Sequence, residues 1–225
     1  MSEDALRARG VSHHVGTTQL LHEIDLEVGA GEFVAVSGPS GSGKSTLLQT
    51  LSGMSRPSTG SIELGGEELT ALGDEQLAAR RLHRIGVVFQ QPELLRDLTM
   101  LENVVLPGRA ARRASRAQVT ARARELLERM GVADLESRFA GEVSGGQAQR
   151  VGICRALINE PEIVFADEPT GALDSRAAGE VLVLLQAIAA DGTAVVMVTH
   201  DPRMADGADR VIELLDGRIV PPVAA

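Results

Sequence analysis

Hydrophobic and polar residues alternate along the first part of the chain, as they do in strands that bury one face. Ile24, Leu26 and Val28 are separated by charged residues, so we predict strands within residues 11–36, and 61–66 as a further strand of this layer. Short runs of consecutive apolar residues are typical of strands buried on both faces. Such strands are predicted at 32–37, 85–90, 162–167 and 193–200, and a hairpin with an Asp216-Gly217 turn is predicted at 211–220.

Between these strands, apolar residues recur every three to four positions, which predicts helices. Helices are expected at 44–53, 74–84 and 177–190, and the block from 91 to about 158 has the same helical spacing throughout. The pattern therefore predicts an α/β fold in a single domain of residues 1–225. Its core spans about 1–90 and 159–225, with an N-terminal antiparallel β layer and an inserted helical subdomain at about 91–158.

The stretch GPSGSGKST (38–46) follows a predicted strand and opens a predicted helix. It fits the phosphate-loop pattern, with Gly38, Gly43, Lys44 and Ser45 at the fixed positions. Glycines allow backbone N–H groups to turn towards phosphate oxygens, and the helix N-terminus adds its dipole. In such a loop Lys44 reaches the β- and γ-phosphates and the Ser45 hydroxyl binds Mg²⁺. Lys44 is also the only lysine of the chain.

Two acids follow the apolar run of EIVFADEP (162–169). Asp167 stands at the end of the predicted strand, where it would hold Mg²⁺ through water. Glu168 follows directly, and a carboxylate there can orient and polarise the water that attacks a γ-phosphate. Two exposed acids at a strand end are common without any role, so this interpretation depends on the phosphate loop upstream.

A second glycine-rich stretch, VSGGQ (143–147), begins a predicted helix about a hundred residues after the first. Ser144 suits the N-cap position, and Gly145 and Gly146 leave the N–H groups of the first turn uncovered. The stretch is therefore either a second anion site or simply the start of a capped helix, and on its own the second interpretation is favoured.

Composition and charge narrow the classes of partner. The net charge of −9 argues against a nucleic-acid-binding protein, and no apolar run approaches the roughly 20 residues that cross a bilayer. The first residues, MSEDALRARG, are charged, so no secretory signal is expected there. A single cysteine suits a reducing cytoplasm. The arginine-rich stretch 109–129 has few aromatic residues and is interpreted as a solvated helix face, with attraction to anionic lipid headgroups as an alternative.

The order of these motifs carries more information than any one of them. GPSGSGKST is followed by Gln90 at the end of a predicted strand, and then by VSGGQ, EIVFADEP, GALDS and a histidine, His200, after a strand. This set resembles the ATPase subunit of ATP-binding-cassette (ABC) transporters over nearly the whole chain. The DLTMLENVVLP segment and the ELTALGDEQLAARR insertion before it are similar to the group that exports lipoproteins, macrolides and peptides. The resemblance implies a P-loop NTPase (RecA-like) core, ATP hydrolysis, and ATP and Mg²⁺ as cofactors.

The resemblance also implies a role for each matching residue. Asp167 and Glu168 match the metal aspartate and the catalytic glutamate, and His200 matches the switch histidine that contacts the γ-phosphate. Gln90 matches the loop glutamine that senses Mg²⁺ and the attacking water, although Gln91 is adjacent. The phosphates and metal would be held by Gly38, Ser40, Gly41, Gly43, Lys44, Ser45 and Thr46. The signature is matched by Ser144, Gly145, Gly146 and Gln147, and the loop that touches the opposite site by Asp174.

Partners follow from the same resemblance. In the family, two ATPase domains pair head to tail, so that the signature of one closes over the ATP of the other; a homodimer is expected here. Integral membrane permease subunits would dock near residues 90–106, which places the chain at the cytoplasmic face of a membrane. No nucleic-acid partner is expected. Two alternatives stay open: an ATPase that drives transmembrane signalling without transport, and a soluble ABC ATPase.

One position departs from the family. The family usually places an aromatic residue in the first strand to stack on adenine, and Val15 stands where that ring is expected. The chain has no Tyr or Trp. Val15 offers apolar contact without π-stacking. The missing ring therefore bears on nucleotide affinity and base preference and not on the phosphate chemistry.

Overall fold

The computed structural model describes residues 4–220 as two stacked β-sheets with helices packed on the outer face of the larger one. The first sheet is antiparallel in the order β2-β1-β4-β5. The second has the order β10-β9-β3-β8-β7-β6, parallel except for its edge hairpin. The strands are β1 Asp4–Val15, β2 Thr18–Gly29, β3 Phe33–Ser37, β4 Thr59–Leu64, β5 Glu67–Glu68, β6 Ile85–Val88, β7 Ile163–Asp167, β8 Ala194–Val198, β9 Arg210–Leu215 and β10 Arg218–Val220.

The helices fall into two groups. In the core, α1 Lys44–Leu51, α2 Asp74–Arg84, α6 Ser175–Ala190 and the short α7 Pro202–Ala205 connect successive strands. Between β6 and β7 the chain forms α3 Met100–Ala111, α4 Arg116–Arg129 and α5 Gly145–Leu157, with short 3₁₀ turns at Ala133–Leu135 and Ala140–Glu142 and one isolated β-bridge between Thr99 and Phe139. This mixed α/β architecture, with an antiparallel β layer and an inserted helical segment, confirms the predicted fold class.

The larger sheet is buried on both faces, which is why its strands are continuous apolar runs. Along β3, Phe33 and Ala35 pack in the core formed with the helices, while Val34 and Val36 pack in the core formed with α1 and the antiparallel sheet. This alternation follows from the two-residue repeat of a strand.

Cys154 on α5 is fully buried, and burial raises the pKa of its thiol to about 12.

Several predicted boundaries were wrong. Strand β4 spans Thr59–Leu64 and not 61–66, β8 ends at Val198 and not at residue 200, and α1 ends at Leu51 and not at residue 53. Strand β1 begins at Asp4 and not near residue 11, because the small residues Ala5 and Ala8 are buried and continue the pairing with β2 before the irregularity between Ala8 and Val11. Strand β6 ends at Val88 and not at residue 90, so Gln90 lies in the loop that follows. Helix α6 begins at Ser175 and not at 177, since the Asp174 side chain caps it by accepting bonds from the next turn.

Candidate functional site

The phosphate-loop sequence connects β3 to α1 at the C-terminal edge of the larger sheet. At its first position, Gly38 has φ +150°, and a Cβ there would lie 2.1 Å from the carbonyl oxygen of Leu214 on β9. No other residue fits that space. Gly43 precedes α1 and supplies no side-chain cap. The first N–H groups of α1 have no partners within the helix, so the turn forms a cradle suited to an anion.

Lys44 is the centre of this loop. Its side chain is buried, and its ammonium group donates hydrogen bonds to the carbonyl oxygens of Gly38 and Pro39, each at 2.9 Å. A buried ammonium needs such partners, because an unpaired charge away from water is costly. The loop therefore wraps around the one lysine of the chain and presents its charge at the cradle.

Ser45 and Asp167 come together across the sheet edge. The Ser45 hydroxyl donates a 3.0 Å hydrogen bond to Oδ1 of Asp167 at the end of β7. Burial raises the pKa of the Asp167 carboxyl, the Ser45 hydrogen bond opposes that shift, the charge of Glu168 adds to it, and the charge of Lys44 opposes it. A partly desolvated carboxylate beside a hydroxyl is a suitable pair of oxygen ligands for Mg²⁺, so the residues present fit the metal that the fold family implies.

Glu168 is held in an unusual conformation next to the metal pair. Its φ is +43°, in the left-handed region that a non-glycine residue adopts at a cost of about 1–3 kcal/mol. Its amide donates to the carbonyl of Val198 on β8 at 3.0 Å. The carboxylate Oε1 lies 3.1 Å from Nδ1 of His200, which follows β8. The turn thus directs the Glu168 carboxylate towards His200 and away from the sheet.

Gln90 also reaches this edge, although it lies outside the strand in which it was predicted. A Cβ built on Gly171 would be 2.9 Å from Nε2 of Gln90 and 3.4 Å from Oε2 of Glu168. The Gln90 amide and the Glu168 carboxylate therefore flank the same glycine. Gln91 is exposed in the next position of the loop.

The VSGGQ stretch starts α5 as a capped helix. Ser144 Oγ accepts a hydrogen bond from the amide of Gln147, and the Gln147 side chain accepts one from the amide of Ser144 at 2.9 Å. This reciprocal pair is a capping box. A Cβ on Gly146 would lie 3.1 Å from the Cβ of Ala177, so the stretch packs against the first turn of α6, which Asp174 caps.

The structure does not join the two glycine-rich stretches. Among residues 4–220, no hydrogen bond links residues 144–147 to the phosphate loop 38–46. Val15, at the end of β1, is 60% exposed and projects into solvent. Of the predicted site residues, the structure therefore gathers the phosphate loop, the two acids, His200 and Gln90 at one place.

Two sets of contacts were missed by the sequence interpretation. The turn of the C-terminal hairpin supports the phosphate loop, with the Gly217 amide donating to the carbonyl of Ser42 at 2.9 Å. On α5, Gln149 and Arg155 donate to backbone carbonyls in the loop that carries Gln90. The residue types gave no signal for either set, because both end on backbone carbonyl groups, which every residue has.

These features define a phosphate-binding ATPase cassette, and comparison with known proteins identifies its family. The model for the ABC transporter family matches residues 21–171, about two thirds of the chain. The chain belongs to the ABC transporter family, and it is an ATPase of that family.

Relatives and solved structures agree with this assignment. The macrolide export ATP-binding/permease protein MacB 1/2 of Paracoccus denitrificans is 50% identical over 96% of the chain, but the chain spans only 33% of that protein. The lipoprotein-releasing system ATP-binding protein LolD of Anaeromyxobacter dehalogenans is 48% identical, covering 90% of the chain and 85% of that protein. The dimeric ABC transporter cassette MJ0796 superposes with a TM-score of 0.88 at 38% identity, over 96% of this chain and 97% of that one. A second structure of MJ0796 is a post-hydrolysis state bound to ADP and Pi, with a TM-score of 0.84.

Among the helices within residues 4–220, none combines the length and the apolar character that crossing a bilayer requires.

Proposed function

We propose that the chain is the ATP-hydrolysing subunit of a membrane transporter similar to the lipoprotein-release and macrolide-export systems, and that it works as a dimer at the cytoplasmic face of the membrane. The observation that carries this proposal is the cluster at one sheet edge, where Ser45 meets Asp167 and Glu168 meets His200. A dimeric cassette with 38% identity and the two export-type relatives support the choice of system.

Each residue of the cluster has a proposed task. The N–H groups of the loop and the Lys44 ammonium bind the phosphates of ATP, with Ser40, Gly41 and Thr46 completing the cradle. Mg²⁺ would be held by Ser45, Asp167 and Gln90, and when bound it would offset the negative charge that develops on the phosphate oxygens.

Hydrolysis then needs a base and an orienting group. The oxygen of a water molecule attacks the γ-phosphorus, the bond to the bridging oxygen of ADP breaks, and the water proton passes to the Glu168 carboxylate. His200 holds Glu168 in place and contacts the γ-phosphate. Gln90 lies beside the Glu168 carboxylate, where its amide positions the water.

The VSGGQ stretch serves the site of a second copy. Within residues 4–220, this stretch makes no hydrogen bond to the phosphate loop of its own chain, as expected if it contacts a second chain. In the proposed homodimer, the partner's ATP is covered by the signature residues Ser144, Gly145, Gly146 and Gln147. Asp174 contacts the partner's ATP site. The helical subdomain, about 91–158, carries the signature across to it, while the core of the same domain, about 1–90 and 159–225, holds the chain's own ATP.

Permease subunits provide the membrane path for export or force transmission. Their proposed docking segment is 90–106, where Leu95 and Leu106 are 49% and 46% exposed. Two exposed leucines within this one segment are apolar side chains that a permease helix could cover. Pull-down of tagged protein from gently solubilised membranes tests this part: an integral membrane protein in equal amount supports it, and recovery from the soluble fraction alone contradicts it.

Mixing two inactive variants tests the shared site. Lys44→Ala removes the phosphate-loop charge and Ser144→Arg blocks the signature, so each variant alone should lack ATPase activity. In a mixed dimer, one of the two sites combines an intact loop with an intact signature. With random pairing, about a quarter of the parent activity should return. Mixed dimers that form but stay inactive would contradict a site shared between chains.

A further inference from the structure

Helix α5 touches the loop that carries Gln90 at three successive points along one face. Near its start, Gln149 is fully buried and its Nε2 donates to the carbonyl oxygen of Phe89 at 3.0 Å. One turn further on, a Cβ on Gly152 would be only 3.3 Å from the Cβ of Pro92. The helix and the loop are therefore in direct contact, with a glycine where the loop passes closest.

Arg155 makes the third and strongest contact. Its two terminal nitrogens donate to the carbonyl oxygens of Pro92 at 2.5 Å and Glu93 at 2.7 Å. A guanidinium holds two acceptors in fixed directions, which a lysine ammonium cannot reproduce. Arg155 is half-buried, and this burial lowers the pKa of its guanidinium, while the charge of Glu93 opposes that shift.

The loop needs such support because its backbone is strained. Glu93 has φ +49°, a left-handed conformation that a non-glycine residue adopts only when its surroundings hold it. The carbonyl that Arg155 binds belongs to this strained residue. Without the guanidinium, the Glu93 backbone would leave its left-handed conformation, and Gln90, three residues earlier, would move with it.

We infer that Arg155 and Gln149 are positioning residues that fasten the Gln90 loop to α5, so that the loop and the signature at the start of the same helix move as one body. Movement of VSGGQ against a partner's nucleotide then shifts Gln90 in the chain's own site. This inference rests on the proposed roles of Gln90 and the signature, and it adds the residues that connect them.

The first experiment measures loop motion directly and does not depend on activity. The chain contains no tryptophan, so Gln91→Trp places a single fluorophore on the exposed loop. Time-resolved anisotropy of this probe should show a larger amplitude of fast local motion when Arg155→Lys is added. The matched control is Arg150→Lys, on the same helix, because Arg150 pairs with Glu180 and does not touch the loop. Equal anisotropy in the two variants, with unchanged thermal unfolding, would overturn the inference.

The second experiment asks whether Arg155 acts through Gln90. Arg155→Lys should lower kcat several-fold with little change in the KM for ATP, and Gln149→Leu should do the same. In a Gln90→Ala background, Arg155→Lys should have no further effect, since the residue being positioned is gone. The same fold-loss in both backgrounds would overturn the connection. If Gln90→Ala alone leaves hydrolysis unchanged, the proposed role of Gln90 fails, and the anisotropy result still decides whether Arg155 holds the loop.

Discussion

The Glu168 carboxylate lies 3.1 Å from Nδ1 of His200, with each residue at the end of a neighbouring parallel strand. The contact depends on the left-handed backbone of Glu168, since an extended residue would continue the direction of β7. A protein retains such strain at sites where the side-chain direction matters. The pair is therefore the most specific sign of hydrolytic chemistry in the fold.

Replacing Glu168 by Gln should trap a dimer in the presence of ATP. The amide is nearly the same size as the carboxylate, so nucleotide binding is retained while the group that accepts the water proton is lost. Light scattering should then show a dimer with ATP and a monomer without it. The exposed pair of Glu136 with Arg124 offers a control, because Glu136→Gln removes a carboxylate far from the site. A monomer of Glu168→Gln at saturating ATP would contradict the shared-site dimer.

Replacing Asp167 by Asn should raise thermal stability while abolishing Mg²⁺-dependent hydrolysis. Burial raises the pKa of Asp167, so ionisation costs free energy in the folded state. That cost is absent at low pH, develops as the pH rises from the unfolded value of about 4 through the folded pKa, and is complete at higher pH. The neutral amide avoids it, so the nucleotide-free variant should unfold a few degrees higher at neutral pH.

Comparison of the two proteins across pH checks the sign of this effect. The stability difference between parent and Asp167→Asn should shrink as the pH falls towards 4, because the parent carboxyl then becomes neutral as well. Asp191→Asn is the control: its carboxylate is mostly exposed and pairs with Arg129, so its removal should give no gain. A variant that is less stable than the parent at neutral pH would contradict the desolvation argument.

The sequence predicted those parts of the fold and site that depend on local spacing. Glycines at fixed positions marked the phosphate loop, and apolar runs marked β3, β7 and β8, whose ends carry the loop, Asp167 and His200. Because neighbouring parallel strands end at one sheet edge, the position of the candidate site followed from those runs.

Contacts to backbone carbonyls escaped the sequence analysis. Arg155 and Gln149 bind carbonyl oxygens of residues distant in sequence, and carbonyls leave no trace in residue types. The early start of β1 was missed for another reason: Ala5 and Ala8 are too small to give a clear alternating pattern, yet both are buried. The left-handed turn at Glu168 was also invisible, since glutamate does not signal a positive φ.

Replacing Ser144 by Arg should stop hydrolysis without loosening nucleotide binding to the isolated chain. The substitution removes a helix cap, which costs about 1 kcal/mol of stability, and places a bulky cation where a partner's phosphates are proposed to lie. Ser115 is a matched control because it caps α4 through the same reciprocal pair with Gln118. Ser115→Arg should lower the unfolding temperature by a similar amount and leave the ATPase rate unchanged. Normal turnover in Ser144→Arg would mean that VSGGQ is only the start of a helix.

Replacing Val15 by Tyr should tighten ATP binding by supplying the ring that the family usually has at this position. Aromatic stacking contributes about 0.5–1.5 kcal/mol, which corresponds to roughly a 2- to 10-fold lower KM for ATP. The value of kcat should stay the same, since the base lies far from the bond that breaks. Val183 on α6 has nearly the same exposure, 61% against 60%, so Val183→Tyr controls for the general effect of an exposed tyrosine. An equal KM change in both variants would show that Val15 is not beside the base, whereas a change confined to Val15→Tyr would place the base at the end of β1.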